Sequence, residues 1–448
     1  MPARTRSRQH SPAPISESLL RLGDRLRKAR TEAGLSQSQL GAPHFTRAYI
    51  SALELGKIRP AMTSLEFLAG RLGKPSSHFL EDEEQERKRS ERDIAMVRAL
   101  QLIAEGSASQ AVEELRAIDS DGLSTTDRLA LKRTLGRAYL EAGEGAKAAA
   151  VLAETVRGYE ALGDAEQVAR TRGQLGRALI ALMSYDEAEV HLSQALRASA
   201  DGVVKDPVFR VHVLHNLGCA LYQRGEYKAA IDQFERAVAE GADIGDDKWL
   251  ASVYAAMGMS LREMGDYEAA ITSLRRSETL FDAIRNRSRV AEIRFQMART
   301  IRALGNMSRA AVVAEEALSA ANDAGNPLLG IRIEAFIGIC EAEAGALDRA
   351  TERLERIIER ADELGELHPR FVARFALAKA ISRADPVRAE RILRETEDLL
   401  RAAPPGDDLA DIHEELSQVL TLQGRTEEAL AYAQRAYATA RQAQKGGG

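Results

Sequence analysis

Six small residues recur along the chain at nearly constant spacing: Gly136, Gly176, Gly218, Gly258, Ala298 and Gly338, separated by 40, 42, 40, 40 and 40 positions. Seven positions after each stands Gly143, Met183, Gly225, Gly265, Gly305 or Gly345, and twelve after each stands Ala148, Ala188, Ala230, Ala270, Ala310 or Ala350. With 33 glycines in 448 residues, chance does not place five glycines in six at one phase. A ladder of this period is one supersecondary unit repeated, and such a unit buries its apolar face only by stacking on its neighbours. Within the unit, the first small residue lets two helices cross closely. The glycine seven later supplies the left-handed cap that ends the first helix, and the alanine packs the second helix back against it. Weaker copies flank the six: one on Ala99, Gly106 and Ala111, one on Ala378 with a distorted turn at Asp385-Pro386, and one on Ser417, Gly424 and Ala429. The ladder therefore predicts an all-α chain with about nine helix pairs over residues 84–444.

Composition agrees with that reading. Hydrophobic residues make up 45% of the chain and aromatics only 5%, so the core must be aliphatic and rich in alanine. No uncharged apolar run approaches the roughly 18 residues a membrane helix needs, and the N-terminus lacks a signal-type apolar segment, so a cytoplasmic protein is expected. Cys219 and Cys340 sit in aliphatic helical sequence and read as small buried residues in a reducing compartment. Charge is unevenly spread. Residues 1–80 hold 13 basic and 5 acidic side chains, net +8, and the other 368 hold 49 and 62, net −13, which together give the overall −5. The basic end suits phosphate and the acidic remainder repels it.

The basic end also carries a second pattern. Ser36 with Gln39 forms a capping box that opens a short helix carrying Leu40, Pro43 breaks it, and Thr46 caps a second helix through Ile50 and Leu53 that ends at Gly56. Apolar positions of that second helix face inward and leave Arg47, Ala48, Ser51 and Ala52 outward, a shape and charge that fit a DNA major groove. Before it, a helix is expected over residues 17–32. After Pro60, Thr63 with Glu66 predicts another capping box and a helix closed by Gly73, and residues 76–80 a last short helix. Residues 1–16, with Arg4, Arg6 and Arg8, are expected to be a disordered basic arm, residues 81–93 a solvated, charged helical linker, and residues 445–448 a disordered tail.

Residues 19–80 resemble the phage-repressor-like (XRE) DNA-binding domain, a five-helix unit. The likeness rests on Arg30 before Gly34, the Gly-Leu-Ser-Gln start, Tyr49-Ile50-Ser51, Leu53-Glu54 with Gly56-Lys57, and Pro60 before a leucine-rich helix. The turn between Leu40 and Thr46 is one residue shorter than the commonest pattern. The resemblance implies that residues 17–80 form the domain, that Gln37 and Tyr49 contact phosphates, that Arg47, Ala48, Ser51 and Ala52 face base edges with Thr46, Lys57 and Arg59 beside them, and that Arg30 pairs with Glu54. Similarly, Leu217-Gly218, Leu221, Gly225, Tyr227, Ala230, Phe234 and Ala237 resemble the tetratricopeptide repeat (TPR), whose arrays form right-handed superhelical solenoids.

In TPR arrays the first helix of each pair lines the concave surface. At the corresponding positions of the seven repeats anchored at 136 to 378 stand ten basic residues, among them Arg170, Arg177, Arg262, Arg299 and Arg302, and four acidic ones, a net +6 groove in an acidic domain. His212, His215, Asn216, Tyr222, Phe295, Gln296 and Phe336 join them as candidate ligand contacts. His212 and His215, at i and i+3, could in principle bind a metal; with no carboxylate or thiol placed beside them on that helix, groove lining is the better reading. No phosphate-binding loop, dinucleotide turn or zinc-spaced cysteine pair occurs, so neither an enzyme, a cofactor nor a metal is expected. The order of XRE domain, linker and long TPR array resembles the bacterial RNPP peptide-pheromone receptors. That resemblance implies a quorum-sensing type of transcription regulator: a homodimer on an inverted-repeat operator in double-stranded DNA, with a short peptide or other anionic ligand in its groove. The alternative is a protein-interaction scaffold that its XRE domain localises to DNA.

Overall fold

The computed structural model describes residues 17–118, 120, 123–400 and 407–446, and every regular element among them is an α-helix. The basic arm at 1–16, the loop at 401–406 and the last two residues of the expected tail lie outside the described residues, and the tail's first two, Lys445 and Gly446, belong to the last helix, so the disordered tail expected from 445 needs correction there. The chain divides into two compact units, residues 1–142 and 143–448. That boundary falls inside the first strong repeat.

In the first unit α1 (Glu17–Glu32), α2 (Gln37–Gly41), α3 (Arg47–Glu54), α4 (Met62–Arg71) and the start of α5 (Ser77–Ala104) enclose a core of Leu22, Leu26, Leu40, Ile50, Leu53, Leu65, Leu68 and Phe79. Local chemistry sets the helix starts. The Ser36 hydroxyl accepts from the Gln39 amide at 3.2 Å while the Gln39 side chain accepts from the Ser36 amide at 2.8 Å. Thr46 accepts from the Tyr49 amide at 3.2 Å. A Cβ on Gly23 would stand 2.6 Å from the carbonyl oxygens of Leu53 and Glu54, so α1 and α3 cross in backbone contact.

Two expectations need correction in this unit. Helix α4 begins at Met62 behind Ala61 with no side-chain cap, so Thr63 lies within its first turn and forms no capping box. The short helix expected at 76–80 and the linker at 81–93 are one continuous helix, α5, which is also the first helix of the first repeat pair and packs on α6 (Ala108–Arg116) and α7 (Thr125–Glu141). Arg92 is therefore buried and paired with Asp93 and Asp127, so the segment is not solvated throughout.

The second unit opens with α8 (Gly145–Leu162) and continues as seven pairs: α9 (Ala165–Ala181) with α10 (Tyr185–Ala200), α11 (Pro207–Gln223) with α12 (Tyr227–Gly241), α13 (Asp247–Glu263) with α14 (Tyr267–Ala283), α15 (Arg287–Ala303) with α16 (Met307–Asp323), α17 (Pro327–Glu343) with α18 (Leu347–Leu364), α19 (Leu367–Ile381) with α20 (Pro386–Leu400), and α21 (Asp407–Leu422) with α22 (Thr426–Gly446). Within a pair, the ladder glycine receives a large side chain sixteen positions on. A Cβ on Gly176, Gly218, Gly258 or Gly338 would meet Leu192, Phe234, Leu274 or Leu354 at 2.4 to 2.8 Å. Where the ladder has Ala298, the residue sixteen on is Ala314, also fully buried. The space is filled from either side.

A second ladder starts the first helices. Asp164, Asp206, Asp246, Asn286 and Asn326, each twelve positions before the small residue, accept from backbone amides at the helix start through their side chains. Gly225, Gly265, Gly305 and Gly345 end first helices with positive φ, and Met183 adopts the same left-handed conformation at φ 59°.

Candidate functional site

The turn between α2 and α3 presents Thr46, Arg47 and Ala48 to solvent, with Ser51 and Ala52 half-buried and Lys57 and Arg59 exposed beyond the helix end. Beneath them lies Glu54, only 6% exposed. Its carboxylate accepts from Arg30 through Nε and Nη2, the latter at 3.1 Å, and from Gln37 Nε2 at 2.8 Å. Arg30 Nη1 also donates to the Leu35 carbonyl at 2.8 Å. The bonds to Glu54 push the Arg30 pKa up against the opposing effect of burial. Gln37 is thus tied to the inside of the domain, and Tyr49 stacks on Phe45 with ring centres 4.8 Å apart.

The first helices of successive pairs, α9, α11, α13, α15 and α17, carry the candidate ligand residues. Much of the basic charge there is already matched. Arg170 donates to Glu166 at 2.9 Å and to Asp206 at 3.1 Å, and its guanidinium lies over the Phe209 ring. Burial would raise Asp206, but the Arg170 bond and the Phe209 and Val208 amides outweigh it and hold the carboxyl below its ordinary range. Arg302 forms a two-pronged pair with Glu343, and Lys379 stands 4.0 Å from Glu415. Arg177 is exposed.

His212 and His215 are half-buried, the first tilted against Trp249 and the second against Phe234. Burial, then His212 and Arg177, lower the His215 pKa to about 4, and burial pushes the neighbouring Cys219 thiol up to about 12. The expectation that no thiol stands beside the histidines on that helix needs correction, since Cys219 follows His215 by one turn and contacts it at 3.6 Å, two groups that are both neutral near pH 7. Among the described residues, no group of three His, Cys, Asp or Glu side chains is placed to hold a metal ion.

Phe295 and Phe336 need correction as open groove contacts. They are 7% and 9% exposed, because they pack edge to face between α15 and α17 with centres 5.4 Å apart. Each instead supports a cation: Arg332 lies over Phe295 and Arg302 over Phe336. They are packed beneath these arginines and are not open contacts. Asn216 and Tyr222 are half-buried on α11, and burial raises the Tyr222 pKa, keeping its hydroxyl protonated. One residue was missed. Gln174 has a buried amide oxygen with no hydrogen-bond partner. It stands two positions before Gly176, as Asn216 stands before Gly218 and Gln296 before Ala298, so the register itself was the signal.

The sequence profile of the tetratricopeptide repeat matches residues 211–241 and 251–281. The array is a TPR-type solenoid. A search of curated protein sequences finds no match to the chain. Among solved structures it is similar to a Rap protein complexed with competence and sporulation factor, at TM-score 0.52 and 14% identity over 80% of this chain and 99% of that one. The apo form of the quorum sensor NprR from B. thuringiensis gives TM-score 0.52 and 15% identity over 84% and 96%. Aspartyl phosphate phosphatase F from Bacillus subtilis gives 0.51 and 14% over 77% and 92%. At these identities the likeness is one of fold. No helix among the described residues is long and apolar enough to cross a membrane.

Proposed function

We propose that this chain is a cytoplasmic, DNA-binding transcription regulator whose repeat array senses a ligand, most simply a short peptide, along its inner face. The observation that carries the DNA half is α3, which buries Ile50 and Leu53 and turns Arg47 and Ala48 outward within the net +8 segment of residues 1–80. The sensing half is supported by side-chain amides at one register, Gln174, Asn216 and Gln296, which can pair with an extended backbone, and by arginines between them. It is also supported by the fold shared with a Rap protein solved with competence and sporulation factor and with the quorum sensor NprR. We read the chain as a binding protein and not an enzyme; the Cys219 thiol, pushed up to about 12 by burial, is poorly suited to be a nucleophile. One such DNA-binding unit reads one half-site, so a homodimer on an inverted repeat follows.

The test is to sequence DNA fragments retained by the purified protein, with and without cell extract. An inverted repeat should emerge, and Arg47→Ala should relax its sequence and cost roughly 1–3 kcal/mol of affinity if Arg47 bonds guanine. Retention of random DNA alone, or a variant with unaltered affinity and sequence preference at fixed salt, would overturn the groove assignment. Co-purification of a folded partner on the array, with no small effector in the extract, would favour the scaffold reading.

A further inference from the structure

Arg170 and Arg302 each hold a carboxylate, whereas Arg299 is bonded to an uncharged group. Its Nη1 donates to the amide oxygen of Gln296 at 3.3 Å, and the same oxygen accepts from Arg262 Nη1 at 2.7 Å. Two guanidiniums from successive inner helices, α13 and α15, thus converge on one neutral acceptor. Arg332 on α17 lies over the ring of Phe295, next to Gln296, and acts on Arg299 electrostatically, as does Tyr222 on α11. The neighbouring Glu263 is taken by Arg262, which donates to it through Nε at 3.0 Å and Nη2 at 2.7 Å. Three guanidiniums against one carboxylate leave a local excess of two positive charges.

Arg299 is exposed, yet the surrounding protein, and then Arg262, pull its pKa down. The hydrogen bond of Arg299 goes to the neutral Gln296 amide and not to a carboxylate, so the guanidinium is both accessible and without a directly bonded counter-ion. An ionised oxygen is a stronger partner for a guanidinium than an amide oxygen, and the planar fork suits carboxylate and phosphate alike.

We propose that Arg262, Arg299 and Arg332 form an oxyanion subsite that takes one anionic end of the groove ligand, the Gln296 oxygen standing where an oxygen of that group will bind. The subsite rests on the groove reading for the remainder of the ligand, but the anion itself can be tested without it.

Inorganic phosphate and two random heptapeptide pools, one with free C-termini and one amidated, are titrated into the full chain, into Arg299→Gln, and into Arg388→Gln. The last removes a guanidinium paired with Glu355 on another part of the surface and controls for overall charge. Arg299→Lys, which keeps the charge, and the melting curves guard against misfolding. The expected result is that phosphate binding falls about tenfold or more in Arg299→Gln and is unchanged in Arg388→Gln. The free-acid pool should outbind the amidated pool by a similar factor in the wild type alone, which assigns the anion to a peptide terminus. Phosphate dependence on Arg299 with no difference between the pools would retain the subsite and assign it to a phosphate-bearing ligand. If the pools bind but neither they nor phosphate sense Arg299, the subsite is wrong and the peptide reading stands. If phosphate binds through Arg299 and neither pool binds, the subsite stands and the peptide reading falls.

Discussion

Glu54 shows how one side chain can serve packing and a binding face together. It is buried on the inner side of α3, and three donors from Arg30 and Gln37 converge on it, so α1, α2 and α3 are tied at one carboxylate. Removing one partner of such a pair strands the other charge, whereas replacing both by apolar groups of similar size is gentler. Glu54→Ala should cost roughly 2–4 kcal/mol, the partial exposure of Arg30 placing it at or below the usual range. The double change Arg30→Met with Glu54→Leu should cost less. Amide hydrogen exchange over residues 22–72 of the full chain measures both, and equal losses of protection would show that the pair does not tie the helices. At this scale the sequence was read unevenly. The positions of Arg47 and Ala48 followed from apolar spacing alone, because a helix face needs only a period. Phe295 and Phe336 did not: each occupies a groove position in the repeat, but the two rings, on the first helices of successive repeats, pack edge to face and shield each other from water, which one repeat viewed alone does not reveal.

At the scale of the helix pair, the period was legible and part of its cause was not. The small residue, the glycine cap and the packing alanine were visible as a ladder. The exchange between Gly258 with Leu274 and Ala298 with Ala314 was hidden, since it relates residues on two helices through a volume. The Asp and Asn caps, twelve positions ahead of the small residue, are equally periodic, but Asp and Asn are as common in loops as at helix starts, and only the backbone amide each accepts from marks it as a cap. Two variants test this account. Met183→Gly places the ladder's own residue at a left-handed position and should stabilise the protein by about 1 kcal/mol. Gly258→Ala puts a Cβ 2.8 Å from Leu274 and should cost roughly 1–3 kcal/mol. Adding Leu274→Ala recreates the pairing found at Ala298 and Ala314, so the double variant should be more stable than the two single losses together imply, by about 1 kcal/mol or more. Urea unfolding of the wild type, Gly258→Ala, Leu274→Ala and the double variant settles it, and strict additivity would show that the two positions do not share one volume.

At the scale of the whole molecule, charge and covalent continuity mark different boundaries. The sequence changes composition at residue 81, yet α5 runs unbroken from Ser77 to Ala104, because a charged surface does not end a helix and no Gly or Pro lies within that segment. A solenoid repeat contacts chiefly its neighbours, so an effector bridging α11 to α17 acts first on the pitch of those repeats. Tight binding there does nothing to DNA affinity unless the effector binds two forms of the protein unequally. If that inequality exists, it is reciprocal: an effector that changes operator affinity tenfold contributes about 1.4 kcal/mol of coupling, and the operator must change effector affinity by the same factor. The measurement is the effector dissociation constant of the full chain with and without saturating operator duplex, alongside the operator constant with and without effector, at one salt concentration. We expect equal factors in both directions, and we expect Arg299→Gln to weaken effector binding in both conditions while leaving the coupling factor of the bound complex intact. A changed operator affinity with no matching change for the effector would mean that the DNA effect arises from a second binding site or a change of assembly, and not from the inner face of the array.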